Sequence, residues 1–189
     1  MPAKKLRSKK NPKVLGRRAF RVSRSRTGLG VFATKPIKKN AYIVEYLGPL
    51  LTNAQCDARR DNRYWFEVNA RWTIDGSPRS NVARYINHSC RPNADPMIRD
   101  RRIRIKAIKN IEPGDEITYD YGEDYFDVYL KPIGCKCLKC IEKRREARRA
   151  RAAKKRAREA RLARATARSR AERAAARRKT ANGANGAHR

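Results

Sequence analysis

Acidic residues are scarce in this chain, and the first 26 positions have none. The 18 Asp and Glu are set against 49 Lys and Arg, giving a formal net charge of +31 over 189 residues. Such an excess implies a polyanionic partner, nucleic acid first and an anionic membrane surface second. Long apolar runs are also missing: none approaches the ~20 residues a membrane-spanning helix needs. The basic N-terminus lacks the apolar stretch of a secretory signal, so a cytosolic or nuclear setting rich in nucleic acid is expected. Beyond Ile141 the only large aliphatic residue is Leu162, which excludes the heptad seam of a coiled coil. Cysteines number five, an odd count, and three of them crowd into Cys135-x-Cys137-x-x-Cys140. That spacing argues against a disulfide framework and for thiols held by a metal.

The charge is unevenly spread. Residues 1–26 hold 11 Lys/Arg, residues 27–140 hold 19 basic and 14 acidic residues, and residues 141–189 hold 19 basic and 4 acidic. A near-neutral body therefore carries two basic arms. The first, residues 1–18, has no apolar period and is expected to be disordered. From Phe20 onward β-branched and aromatic runs take over. "GVFATKPI" and "AYIVEYLGPLL", separated by "KKN", predict a strand pair with a turn. "TNAQCDARRDNRY" reads as a short exposed helix or loop. "YWFEV" and "RWTID" flank Asn69-Ala70 as a tight hairpin. "RIRIKAI" alternates strictly, as a strand does, and "IEPGDEITYDYG" is a Pro-Gly turn running into another strand. The fold class is therefore mainly β from about residue 20 to 130. The Arg/Ala-rich tail that follows favours helix by propensity. With nothing to bury, it is expected to be a solvated helix, partly frayed, or else disordered.

Chemistry concentrates in a few places. "RYINHSCRPN", Arg84 to Asn93, sets Asn, His, Ser and Cys side by side in a chain with two histidines; it is either a solvated turn or a binding loop. A tetrahedral zinc site needs four ligands. Cys135, Cys137 and Cys140 supply three, and only Cys56 or Cys90 remains for the fourth. Cys90, inside the polar loop, is the better choice. The plainer alternative is free thiols in a reducing cell. Gly28-Leu29-Gly30 precedes a strand, which taken alone signals an ordinary turn. Tyr119 and Tyr121 share one strand face by their spacing, which two core tyrosines would also satisfy.

In combination and in this order, "SRTGLGVFATKPI", "EYLG", "NHSCRPN", "GDEITYDYG" and "CKCLKC" resemble the successive motifs of SET-domain protein lysine methyltransferases over about residues 20–140. The resemblance implies a SET fold of short strands with a pseudoknot over 19–122. A zinc segment like that which follows the domain in the family would span 123–141, and the basic tail 142–189. It implies S-adenosylmethionine as methyl donor, held by Gly28, Leu29 and Gly30 along their backbone and by Arg84, Asn87 and His88 at its amino-acid and adenine ends, with Tyr121 beside it. Tyr121 matches the catalytic tyrosine, Tyr46 and Tyr64 match lysine-channel positions, and Tyr119 matches the position that tunes the number of methyl groups. Zn2+ is expected on Cys90, Cys135, Cys137 and Cys140. Two departures stand out: the closing motif is C-x-C-x2-C where C-x-C-x4-C is common, and no cysteine-rich segment precedes Gly28.

Methylating lysine requires a neutral amine, yet free lysine has a pKa of about 10.4. An aromatic channel beside a sulfonium disfavours the ammonium form, so alignment and electrostatics carry the reaction without a strong base. The seven acids Glu112, Asp115, Glu116, Asp120, Glu123, Asp124 and Asp127 surround the Tyr-x-Tyr motif, either as a solvated run or as a lure for basic peptides or the chain's own arms. The expected partners are a basic, histone-like or nucleic-acid-associated protein and, through the arms, nucleic acid. No membrane is expected, and the chain is expected to act as a monomer at a bacterial nucleoid or at chromatin. The competing reading is a non-catalytic nucleic-acid-binding protein built on a degenerate SET domain.

Overall fold

The computed structural model describes residues 12–59 and 63–184, in two compact units that divide after Cys140. Most of the expected N-terminal arm lies outside the described residues. The described residues of the first unit form ten short strands in three small sheets. β1 (Phe20–Ser25) and β2 (Gly28–Ala33) form an antiparallel hairpin in register from Phe20↔Ala33 to Ser25↔Gly28. β3 (Tyr42–Tyr46) pairs with β9 (Arg102–Ala107), which pairs in turn with β8 (Ala94–Arg99). β4 (Leu50–Thr52), β5 (Trp65–Asn69) and β6 (Trp72–Asp75) make the third sheet, with β6 central. Helix α1 (Asn53–Asp57) follows β4 and opens on a capping box between Thr52 and Gln55.

Isoleucine fills the centre. Ile37, Ile43, Ile86, Ile103, Ile105, Ile111 and Ile117 are all essentially inaccessible to solvent. β-Branched side chains pack well on pleated surfaces, and each such burial contributes about 1.5–3 kcal/mol. Ile103, Ile105 and Ala107 of "RIRIKAI" lie in the core at 0% exposure as expected, but the exposed half of the alternation fails at Arg104, which is buried at 2% beside Glu45. The hairpin at Asn69-Ala70 is also present: Asn69 Oδ1 accepts from the Arg71 and Trp72 backbone N–H groups at 2.9 and 3.1 Å, closing the turn.

The predicted pairing of the strands on either side of "KKN" is not found. β2 pairs with β1 and with the last strand, β10 (Glu116–Tyr119), and β3 with β9. Ile37, lying between them, is fully buried and bridged to Ile111. That contact pins the connection to a third element and takes the two strands into different sheets. β8 went unrecognised because Pro96 interrupts its text. It is an edge strand, where a missing N–H is tolerated.

The late elements bring the site together. β7 (Asn87–His88) follows a 3-10 turn at Val82–Tyr85 and pairs in parallel with β10 (Glu116–Tyr119), which itself lies between β2 and β7. The last strand thus enters between elements laid down earlier in the chain. Beyond it come α2 (Glu123–Tyr125) and a π-turn at Phe126–Leu130. Helix α3 (Leu138–Ala184) runs 47 residues, so the tail is helical and its helix begins earlier than its composition suggested, at the cysteines. Every side chain described from Glu142 to Ala176 is exposed. No helix of the described residues is long and apolar enough to cross a membrane.

Candidate active site and thiol cluster

β10 and the residues after it carry Tyr119 and Tyr121, whose rings lie 5.0 Å apart between centroids. Tyr46 from the end of β3, Tyr64, Trp65 and Phe66 from the β5 side, and Tyr125 from α2 line the same cavity, of about 320 Å³. Tyr46 meets Phe66 edge-on at 5.3 Å, and Tyr121 meets Tyr125 edge-on at 4.8 Å. All four tyrosines expected in the channel are therefore gathered around one aromatic cavity. Two of their hydroxyls are anchored to main chain: Tyr121 donates to the Ile86 carbonyl at 2.6 Å and Tyr46 to the Tyr64 carbonyl at 2.7 Å. Burial raises the Tyr46, Tyr119 and Tyr121 phenols above their ordinary value, with Arg84 pulling Tyr46 the other way. These phenols stay neutral at physiological pH.

Next to Tyr121 a second cavity of about 320 Å³ opens between Arg26-Thr27, Asn87-His88 and the stretch Leu130 to Cys137. A third space, of about 380 Å³, shares Arg26, Thr27, Asn87 and His88 and adds Glu116, Thr118 and Lys139. Asn87 Nδ2 donates to the Leu29 carbonyl at 3.0 Å and to Glu116 Oε1 at 2.7 Å, tying the Gly28–Gly30 strand to β10. A Cβ at Gly30 would come within 2.8 Å of Ser25 Cβ and displace the Glu116 carboxylate, and Gly28 sits at φ +121 facing open space. Polar donors at one end and Leu130, Ile133 and Tyr125 at the other suit a ligand that is part amino acid, part nucleoside. S-adenosylmethionine fits that donor set.

Arg84 lies elsewhere. It lines the aromatic cavity, its guanidinium 4.0 Å from the Tyr64 ring centroid and its Nε buried without a hydrogen-bond partner among the described residues. The His88 side chain, only 5% exposed, turns toward the thiols: Nε2 is 3.2 Å from Cys90 Sγ and Nδ1 accepts the Tyr121 N–H at 3.2 Å. Burial lowers the His88 pKa against a smaller opposing pull from Asp120.

Cys90, Cys135, Cys137 and Cys140 place their sulfurs within 4.8 Å of one another. Cys90 Sγ is 4.0 Å from Cys135 Sγ and 3.6 Å from Cys140 Sγ. Tetrahedral Zn–S bonds of about 2.3 Å separate sulfurs by about 3.8 Å, so the cluster fits a zinc ion. Cys56 lies apart, buried on α1. Burial pushes Cys90 up and Cys135 up to about 11. Cys137 falls to about 7, since hydrogen bonds from the Cys90 and Cys140 backbone and neighbouring thiols outweigh burial.

Several lining residues were missed in the sequence. Tyr125 and Arg63 line the aromatic cavity, and Tyr129 backs them, its ring tilted against Tyr125 at 4.6 Å and 5.5 Å below the Arg63 guanidinium. The i, i+4 spacing of the two tyrosines in "YFDVY" was the available signal. The acidic run is dispersed. Asp124 joins Glu67 in the aromatic cavity, Asp115 and Glu116 line the cofactor-sized space, and Asp120, Glu123 and Asp127 face His88 and Phe126.

Known proteins are similar to this chain over the same stretch. The SET domain family model matches residues 28–122. The chain is 31% identical over 122 residues to the human histone-lysine N-methyltransferase EHMT1, covering 58% of this chain and 9% of that protein. It is 37% identical over 117 residues to mes-4 of Caenorhabditis elegans, a histone-lysine N-methyltransferase, covering 50% and 13%. It is 32% identical over 145 residues to the histone-lysine N-methyltransferase ASHR3 of Arabidopsis thaliana, covering 67% and 29%. The chain thus matches less than a third of the length of each. With the family match covering half its residues, this chain belongs to the SET-domain family.

Proposed function

We propose that this protein is a protein-lysine N-methyltransferase that uses S-adenosylmethionine and acts on a lysine of a basic, histone-like or nucleic-acid-associated protein, adding mainly one methyl group. The observation that carries the reading is the meeting of two cavities at Tyr121, one aromatic and one polar-to-apolar. When bound, S-adenosylmethionine supplies an electrophilic methyl on a sulfonium. Gly28, Leu29 and Gly30 would lie along it, Asn87 would hold its amino-acid end, and the backbone at His88 together with Leu130 and Ile133 would flank the nucleoside.

The remaining work falls to the aromatic cavity. Tyr46, Tyr64, Tyr119 and Tyr121 wall the substrate amine from water and disfavour its charged form. Tyr121, fixed by Ile86, orients the nitrogen lone pair along one line. Neutral phenols accept a hydrogen bond from the amine without removing its proton, which leaves to solvent before transfer. Asp124 and Glu67 at the cavity favour a basic peptide. Zinc on the four cysteines would close the cofactor side by fixing residues 135–140 against the loop at Cys90. The 142–189 tail would hold nucleic acid, near chromatin or a bacterial nucleoid.

Incubating the purified protein with methyl-labelled S-adenosylmethionine and basic proteins tests the reading. Label is expected on lysine; no label on any basic protein, with nucleic-acid binding intact, favours the non-catalytic alternative.

A further inference from the structure

We infer that His88 is a positioning residue that couples the thiol cluster to Tyr121: one ring nitrogen stabilises Cys90 as a metal ligand and the other fixes the backbone of Tyr121. The inference rests on the proposed zinc site and on the proposed role of Tyr121. It gives the His88 side chain work separate from cofactor contact.

The two nitrogens have different partners. In the parallel ladder of β7 and β10, the Ser89 N–H donates to the Tyr119 carbonyl at 3.0 Å. The next donor on that side, the Tyr121 N–H, meets His88 Nδ1 at 3.2 Å. A nitrogen that accepts an N–H bond must present its lone pair, so the proton of the neutral ring is on Nε2. That Nε2–H points at Cys90 Sγ, 3.2 Å away. Ligating thiolates gain from N–H donors, which spread their charge and set their direction.

The ring has little freedom to do otherwise. It is held between Tyr121 and Phe126, with centroids at 5.4 and 5.6 Å, and its side chain is 5% exposed. Asp120 Oδ1 lies 3.6 Å from Nδ1, too far for a hydrogen bond, and accepts the Gly122 N–H at 3.1 Å. Metal cluster and tyrosine are thus joined through one imidazole, and a shift of the Cys90 loop reaches Tyr121 directly.

Two substitutions separate the two bonds. His88→Gln keeps an N–H donor at the position of Nε2 and loses the acceptor for Tyr121. His88→Asn keeps an acceptor at the position of Nδ1 and loses the donor to Cys90. Zinc affinity, measured by competition with a chelating dye, is expected to fall about 10- to 100-fold in His88→Asn and to stay much nearer wild type in His88→Gln. Turnover in excess zinc is expected to show the reverse order, His88→Gln losing about tenfold or more through misplacement of Tyr121. Both variants lie below wild type, and the crossed order is the signature. Equal losses in both measurements, or no loss in either, overturn the coupling while leaving the enzyme reading intact. A wild type that binds no zinc or transfers no methyl overturns the reading beneath it, and the inference with it.

Discussion

Tyr119 is 6% exposed, and no hydrogen bond fixes its hydroxyl among those described, so its phenol occupies space beside Tyr121 more than it bonds. A hydroxyl there leaves little room for a nitrogen that already carries methyl groups. Wild type is expected to yield mainly monomethyl-lysine, and Tyr119→Phe to shift the product toward di- and trimethyl-lysine, read by mass spectrometry of a short peptide. Predominant trimethylation by wild type would contradict this. The same residues set the pH dependence. The substrate amine must be neutral, so kcat/KM should rise with pH toward the free-lysine pKa of about 10.4, while turnover should level off at lower pH because the channel disfavours the bound ammonium. Burial raises the Tyr46, Tyr119 and Tyr121 phenols above 10.0, which keeps them protonated over that climb. The sign is upward, with no falling limb from phenol ionisation below about pH 10. A bell centred near pH 7 would instead point to a titrating protein base.

Among elements, the segment from Cys135 to Cys140 and the loop at Cys90 depend on each other through four sulfurs. Elemental analysis should give about one zinc per chain. Cys56→Ser should retain it and Cys137→Ser should lose it. Because Cys135 and Cys137 also line the cavity beside Tyr121, zinc removal should weaken S-adenosylmethionine binding as well as lower the melting temperature. Retained cofactor affinity in the metal-free protein would contradict that link. Cys135, Cys137 and Cys140 were legible in the sequence because their spacing is local, whereas Cys90 could only be preferred over Cys56 by its place in the polar loop. Also legible were β9, by its alternation, and the β5–β6 hairpin, by Asn69. The pairing of β2 with β10 and the joining of Tyr46 to Tyr119 depend on contacts between distant segments, and no local pattern encodes them; β8 pairs with its neighbour β9 and was masked by Pro96. Arg84 shows the same limit: its motif suggested cofactor, whereas packing set its guanidinium over Tyr64.

Taken as a whole, the chain joins a near-neutral domain to a strongly basic helix. Within α3 the i, i+4 pairs Lys155–Glu159 and Arg168–Glu172 have the base N-terminal to the acid, the less favourable order. With no apolar face to bury, the tail's contact with DNA should be electrostatic and indifferent to sequence. If ~6 phosphates are neutralised, the log–log salt slope is near −5. Truncation after Cys140 should abolish most DNA binding while preserving methylation of a short free peptide. Equal affinity in the two forms would place nucleic-acid binding elsewhere. The central claim concerns Tyr121, where both cavities meet. Its most direct test is methyl transfer from labelled S-adenosylmethionine to a lysine peptide by wild type and Tyr121→Phe, with cofactor binding measured in both. The account predicts transfer by wild type and, in the variant, a loss on the order of 100-fold, as for removal of one oriented hydroxyl at a reacting centre, with cofactor affinity retained. Equal transfer by a folded Tyr121→Phe, or none by a wild type that binds the cofactor, would contradict it.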